Sequence, residues 1–87
     1  MQNARKIRQR LMELSAADTL AEISALPSAR CHQLIGDRAG QFAVDVQHPF
    51  RLIFEPAHDP VPRKEDGGID LTRVTAIRIL EVTDYHE

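Results

Sequence analysis

The sequence predicts an α+β domain, with an N-terminal helical hairpin packed on a small antiparallel sheet of about three strands. Three observations carry this. Apolar residues recur at helical spacing over the first 26 or so positions. Strict alternation follows from Phe42 to Phe54, broken only by Gln47-His48-Pro49. The most apolar stretch, Val74 to Val82, comes last. The order helix, helix, strand, strand, strand makes a meander the natural topology.

The totals fit one soluble domain. The 87 residues have room for a single modest core, and 43% hydrophobic with 28% charged residues excludes a disordered chain. No apolar run approaches the ~20 residues of a membrane helix. The basic start, Met-Gln-Asn-Ala-Arg-Lys, leads into no apolar signal core, so a cytoplasmic protein without membrane attachment is expected. Cys31 is the only cysteine, which excludes an internal disulfide, and the four histidines are scattered. Neither a metal site nor any other cofactor is expected. Charge is uneven: residues 1–51 carry seven Lys/Arg against five acids, and residues 52–87 carry four against eight. The net charge of −2 lacks the basic surplus usual in proteins that live on phosphate contacts.

In the first helix, about Asn3 to Leu14, the stripe Ala4, Ile7, Leu11, Leu14 faces inward. Arg5, Lys6, Arg8, Gln9 and Arg10 take the remaining circumference, either as a solvated surface or as a strip facing phosphate or a partner. Ser15-Ala-Ala-Asp18 reads as a capping box for a shorter helix carrying Leu20, Ile23 and Leu26, ended by Pro27. A linker with a short extended piece, Cys31 to Ile35, reaches a turn at Gly36-Asp37. In the hairpin, Phe42, Val44 and Val46 share one face, as do Phe50, Leu52 and Phe54, with Arg51, Ile53 and Glu55 opposite. Pro56 to Thr72 is expected to be a long loop with a mobile charged tip, Arg63-Lys-Glu-Asp66. In the last strand Ile77 and Ile79 share a face, and Ala76, Leu80 and Val82 the other, interrupted by Arg78. Such a strand suits a sheet covered on both sides, or an interface.

Chemistry is concentrated in a few polar residues. Asp84-Tyr85-His86 ends the chain; alternation sends Asp84 and His86 one way and Tyr85 the other. Histidine can carry protons near neutrality with a carboxylate to orient it, and tyrosine can bond phosphate or stack on a base. Arg51 and Arg38 could grip a phosphate through two parallel hydrogen bonds. Together these would suit metal-free RNA cleavage: one group removes the 2′-hydroxyl proton, another protonates the leaving oxygen, and arginine stabilises the charged phosphorane. The plainer readings are a polar tail, a cross-strand ion pair of Arg51 with a residue such as Glu81, and turn chemistry at Arg38.

Leu34-Ile-Gly-Asp-Arg38-Ala-Gly-Gln41, Pro49-Phe-Arg51-Leu-Ile-Phe54 and Glu81-Val-Thr-Asp84-Tyr85-His86 resemble the HigB branch of the RelE/ParE toxin superfamily, often called plasmid maintenance killer toxins. The likeness spans nearly the whole chain, 1–87, as one toxin domain. It implies a type II toxin-antitoxin component, a ribosome-dependent messenger RNA endonuclease without metal, neutralised by a HigA-type helix-turn-helix antitoxin. Arg38 and Arg51 would bind the scissile phosphate region, with Arg63 and Lys64 as further RNA contacts. Asp84, Tyr85, His86 and Arg51 would form the catalytic cluster. The lysine some relatives place near the site has no clear counterpart. Relatives usually open with a strand and a longer first helix, whereas Met1 falls inside what resembles that helix. The resemblance therefore implies a sheet short of one edge strand, and a marginally stable monomer, a homodimer or an antitoxin complex. The alternative function is a non-enzymatic module, ParE-like or an inactive toxin that only binds antitoxin.

Overall fold

The computed structural model describes residues 2–27, 29–46 and 49–84 and is α+β. Helices α1 (Gln2–Ala16) and α2 (Leu20–Ser24) precede strands β1 (His32–Gln33), β2 (Phe42–Asp45), β3 (Phe50–Pro56) and β4 (Ile77–Asp84). The sheet is antiparallel in the order β1-β2-β3-β4. Its fourth member is β1, two residues of the extended 31–35 piece, which pair with Ala43 and Phe42.

One sheet face carries the helices. Phe42, Val44, Leu52 and Phe54 are buried there with Leu14, Leu20 and Ile23. Phe42 and Phe54 are cross-strand partners whose rings stack at 5.7 Å. The inward stripe of α1 differs from the expected one. Arg10, expected on the solvated side, is only 5% exposed, whereas Leu11 is 39% exposed. Arg10 lies at i+3 from Ile7 and i−4 from Leu14, so it belongs to their stripe by geometry. Its Nε donates to the Asp45 carbonyl at 2.6 Å and its Nη1 to Glu13 at 2.5 Å. The guanidinium is thus satisfied where an unpaired one would be prohibitive.

The second helix starts later than the Ser15 box would have it. Helix α1 continues through Ala16, and Thr19 stands at the N-cap of α2 without a side-chain cap bond. The Glu22 carboxylate, three residues on, reaches back to the Asp18 N–H at 3.2 Å. The Leu20 N–H donates to the Val74 carbonyl at 2.9 Å, which holds α2 against the segment leading into β4. Val74, buried, is therefore a core anchor ahead of the strand.

The faces of β4 also differ from strict alternation. Ile77 opposes Pro56 and Ile79 opposes Phe54, but Glu81 opposes Ile53 and Val82 opposes Leu52. Leu80 is the extra residue of a bulge. Val82 therefore shares the helix-side face with Ile77 and Ile79, and Glu81 and Thr83 move to the other. Beyond Pro56 the chain is more built than a bare loop. Arg63 bridges to Ile69, which is buried, and the Lys64 N–H donates to Gly68 at 2.7 Å. Asp70 caps a 3₁₀ turn at Leu71–Arg73, accepting from the Thr72 amide and hydroxyl. His58 Nε2 accepts from the amides of Thr75 and Ala76, at 3.1 and 3.3 Å, where β4 is about to begin.

Candidate nucleic-acid interface

The face of the sheet away from the helices carries the arginines. Its first row is His32, Ala43, Ile53 and Glu81, and its second is Asp45, Arg51 and Thr83. Ala43 and Ile53 are fully buried with Leu34, although no helix lies over them. The cover comes from the β1–β2 connection, whose 3₁₀ turn spans Gly36–Arg38. Arg38 bonds Gln41 Oε1 at 2.9 Å through Nη1 and Glu81 at 2.5 Å through Nη2, so it spans the Ala43–Ile53–Glu81 row.

Arg51 sits directly opposite Asp45, and its Nε donates to Asp45 Oδ1 at 3.2 Å. Arg30 approaches Oδ2 of the same carboxylate at 3.6 Å, from a turn where its own backbone is left-handed at φ 51°. Further along, Arg78 pairs with Glu55 at 2.7 Å. Arg51 therefore makes a cross-strand ion pair, but with Asp45 and not with Glu81, which Arg38 engages. The pattern is alternating: four arginines and three carboxylates on one face, each pair partly solvated. Partly exposed pairs of this kind are worth ~0–1 kcal/mol each, so a phosphate can compete for the guanidinium groups.

The other expected site residues divide. Asp84 opposes Phe50, which places it on the Val82 side, across the sheet from Arg51. The bulge at Leu80 causes this, because it shifts every later side chain of β4 by one position. Tyr85 and His86 lie outside the described residues, as does His48. Arg63 donates to the Gly67 carbonyl at 2.9 Å and Lys64 Nζ lies 4.0 Å from Asp66, so both engage their own turn.

Sequence reasoning missed Asp45, which joins the two sides of the sheet. Its carboxylate holds Arg51 and Arg30, its carbonyl accepts from Arg10, and its N–H donates to the Ala29 carbonyl at 2.7 Å. The available signal was a lone charge ending an otherwise apolar strand. Burial pushes the Cys31 thiol up to about 11, away from the thiolate form that a nucleophile needs. Among the described residues no three His, Cys, Asp or Glu side chains converge to hold a metal ion, and no helix is long and apolar enough to cross a membrane.

Fold and face together define a small α+β domain with an arginine-carboxylate sheet surface. No family model matches the chain, and comparison with curated proteins and with solved structures returns no match.

Proposed function

We propose that this chain is the toxin of a type II toxin-antitoxin pair, a cytoplasmic messenger RNA endonuclease of the HigB kind that acts on the ribosome. The observation carrying the reading is that Arg38 and Arg51 reach the same helix-free face in adjacent rows. Arg51 also stands directly opposite Thr83, two positions before Tyr85. RNA phosphate would displace Asp45 and Glu81 from the two guanidinium groups, which then stabilise charge developing on the phosphorane. Tyr85 and His86 are the proposed proton carriers for the 2′-hydroxyl and the leaving 5′-oxygen, a role that for His86 requires the chain to leave strict alternation after Asp84. Asp84, opposite Phe50 and across the sheet from Arg51, is not a phosphate contact in this reading. The proposed neutralising partner is a helix-turn-helix antitoxin of the HigA kind.

A second reading has its own support. Both arginines already hold carboxylates, and Asp84 faces away from them, which suits a non-enzymatic module that binds antitoxin or another protein. One experiment separates the two. Transcript ends are mapped in a reconstituted translation reaction with the protein and with Arg51→Ala and His86→Ala, each checked for fold by circular dichroism. The nuclease reading expects new ends with the unaltered protein and a loss of roughly 100-fold or more in either variant. Intact transcripts with the unaltered protein would leave only the binding role.

A further inference from the structure

The side of the molecule opposite the arginine face has an unfilled apolar surface. A cleft of about 220 Å³ runs between α1 and β4, lined by Leu11, Leu14, Ser15, Ile77 and Ile79. It continues over Leu11 and Ser15 into a second depression that includes Arg8, Met12 and Ala16. Met12 is 65% exposed, and Ile79 and Val82 are exposed along the same side of β4. Large apolar side chains exposed together in this way mark an interaction site.

Charge says what kind of partner fits. Arg5 and Arg8 are exposed two turns and one turn before Met12 on the same side of α1, and neither takes part in an ion pair among the described residues. The one acid of α1, Glu13, is engaged by Arg10. On the β4 side the cleft is lined by Ile77 and Ile79, without charge, and the one acid on that face of β4, Asp84, lies at the far end of the strand beyond Val82. We infer that this cleft docks an amphipathic helix of another protein, whose apolar stripe fills the space between Leu11 and Ile79 and whose acidic flank meets Arg5 and Arg8.

The alternatives fare worse on the same observations. A strand added to the β4 edge would meet the bulge at Leu80, which interrupts and twists the ladder it must copy. A second copy would bring two basic α1 surfaces together. Nucleic acid would find the arginines but not a use for Met12, Ile79 and Val82. The inference does not depend on the nuclease reading, since the cleft and Arg51 lie on opposite faces.

The test titrates isotope-labelled full-length protein with a stapled helical peptide bearing leucines at i, i+4 and i+7 and glutamates along one flank. Amide shifts are expected in α1 and β4, with affinity about ten-fold weaker for Arg5→Glu/Arg8→Glu and for Met12→Asp, and unchanged for Arg51→Ala. All these positions are at least partly exposed, and spectral dispersion checks that the variants remain folded. Equal affinity for a peptide with lysines in place of the glutamates would overturn the inference, as would shifts confined to β2 and β3. Binding to phosphatidylglycerol vesicles lost in Met12→Asp, without peptide binding, would reassign the surface to lipid. Self-association lost in the same variant would reassign it to a second copy.

Discussion

Asp45 and Arg10 show how much of this molecule turns on two polar residues. The Asp45 backbone receives Arg10 from the helix side, while its carboxylate faces Arg51 and Arg30 on the other. Asp45→Asn keeps the backbone contacts and removes the charge that competes with phosphate for Arg51. If the sheet face binds RNA, this variant binds single-stranded RNA a few-fold more tightly than the unaltered protein, with a steeper salt dependence. Fluorescence anisotropy over a salt series measures it, and unchanged or weaker binding would count against the face. Beside Arg10, the Glu13 carboxyl is held below the usual range, chiefly because Arg10 donates to it. A lowered folded value means the folded state binds fewer protons. The contribution is thus present above the unfolded value, near 4.3, and is lost as pH falls through the folded value below it. Melting temperature should therefore drop more steeply below about pH 4.3 in the unaltered protein than in Glu13→Gln. Parallel profiles would refute the linkage.

At the level of elements, the β2–β3 hairpin was legible because its alternation and its buried face agree without interruption. Three features were not, each for a stated reason. Strand β1 is two residues long, so its pairing with β2 is decided by the chain between them and not by local pattern. The Leu80 bulge reverses the later faces of β4, which no period-2 reading can anticipate. Arg10 occupies a core-stripe position that a hydrophobic pattern passes over because it carries charge. The connection that lets Arg38 cross the sheet turns at Gly40, whose φ of +91° is a conformation L side chains rarely adopt. Nothing lies within 4 Å of where a Cβ would be, so Gly40→Ala tests the backbone alone. A cost of about 1–2 kcal/mol is expected in chemical denaturation. The loss should include weaker burial of Leu34, visible as shifted methyl resonances of Leu34 and Ile53. A stability within error of the unaltered protein would mean that the turn relaxes without strain.

Across the whole molecule, stability is expected to be uneven. The centre of the sheet is doubly covered: Leu52 and Phe54 under the helices, Ala43 and Ile53 under the Leu34 connection. Helix α1 is attached more sparsely, with Leu14 buried, Ile7 partly so, and Arg10 reaching the end of β2. A helix of 15 residues held by so few apolar anchors depends on its polar one. A hydrogen bond from a charged group contributes ~1.5–3 kcal/mol, and removing the donor also leaves the Asp45 carbonyl short of a partner. Arg10→Ala should accordingly release α1 before the sheet. Hydrogen exchange should show α1 amides opening roughly 30- to 150-fold more readily, the equivalent of ~2–3 kcal/mol, while Val44, Leu52 and Phe54 keep most of their protection. Arg10→Lys, which retains a charge but not the forked donor, should fall between the two. Should helix and sheet lose protection by the same factor, α1 is part of one cooperative unit. The cleft it forms with β4 would then be as rigid as the core.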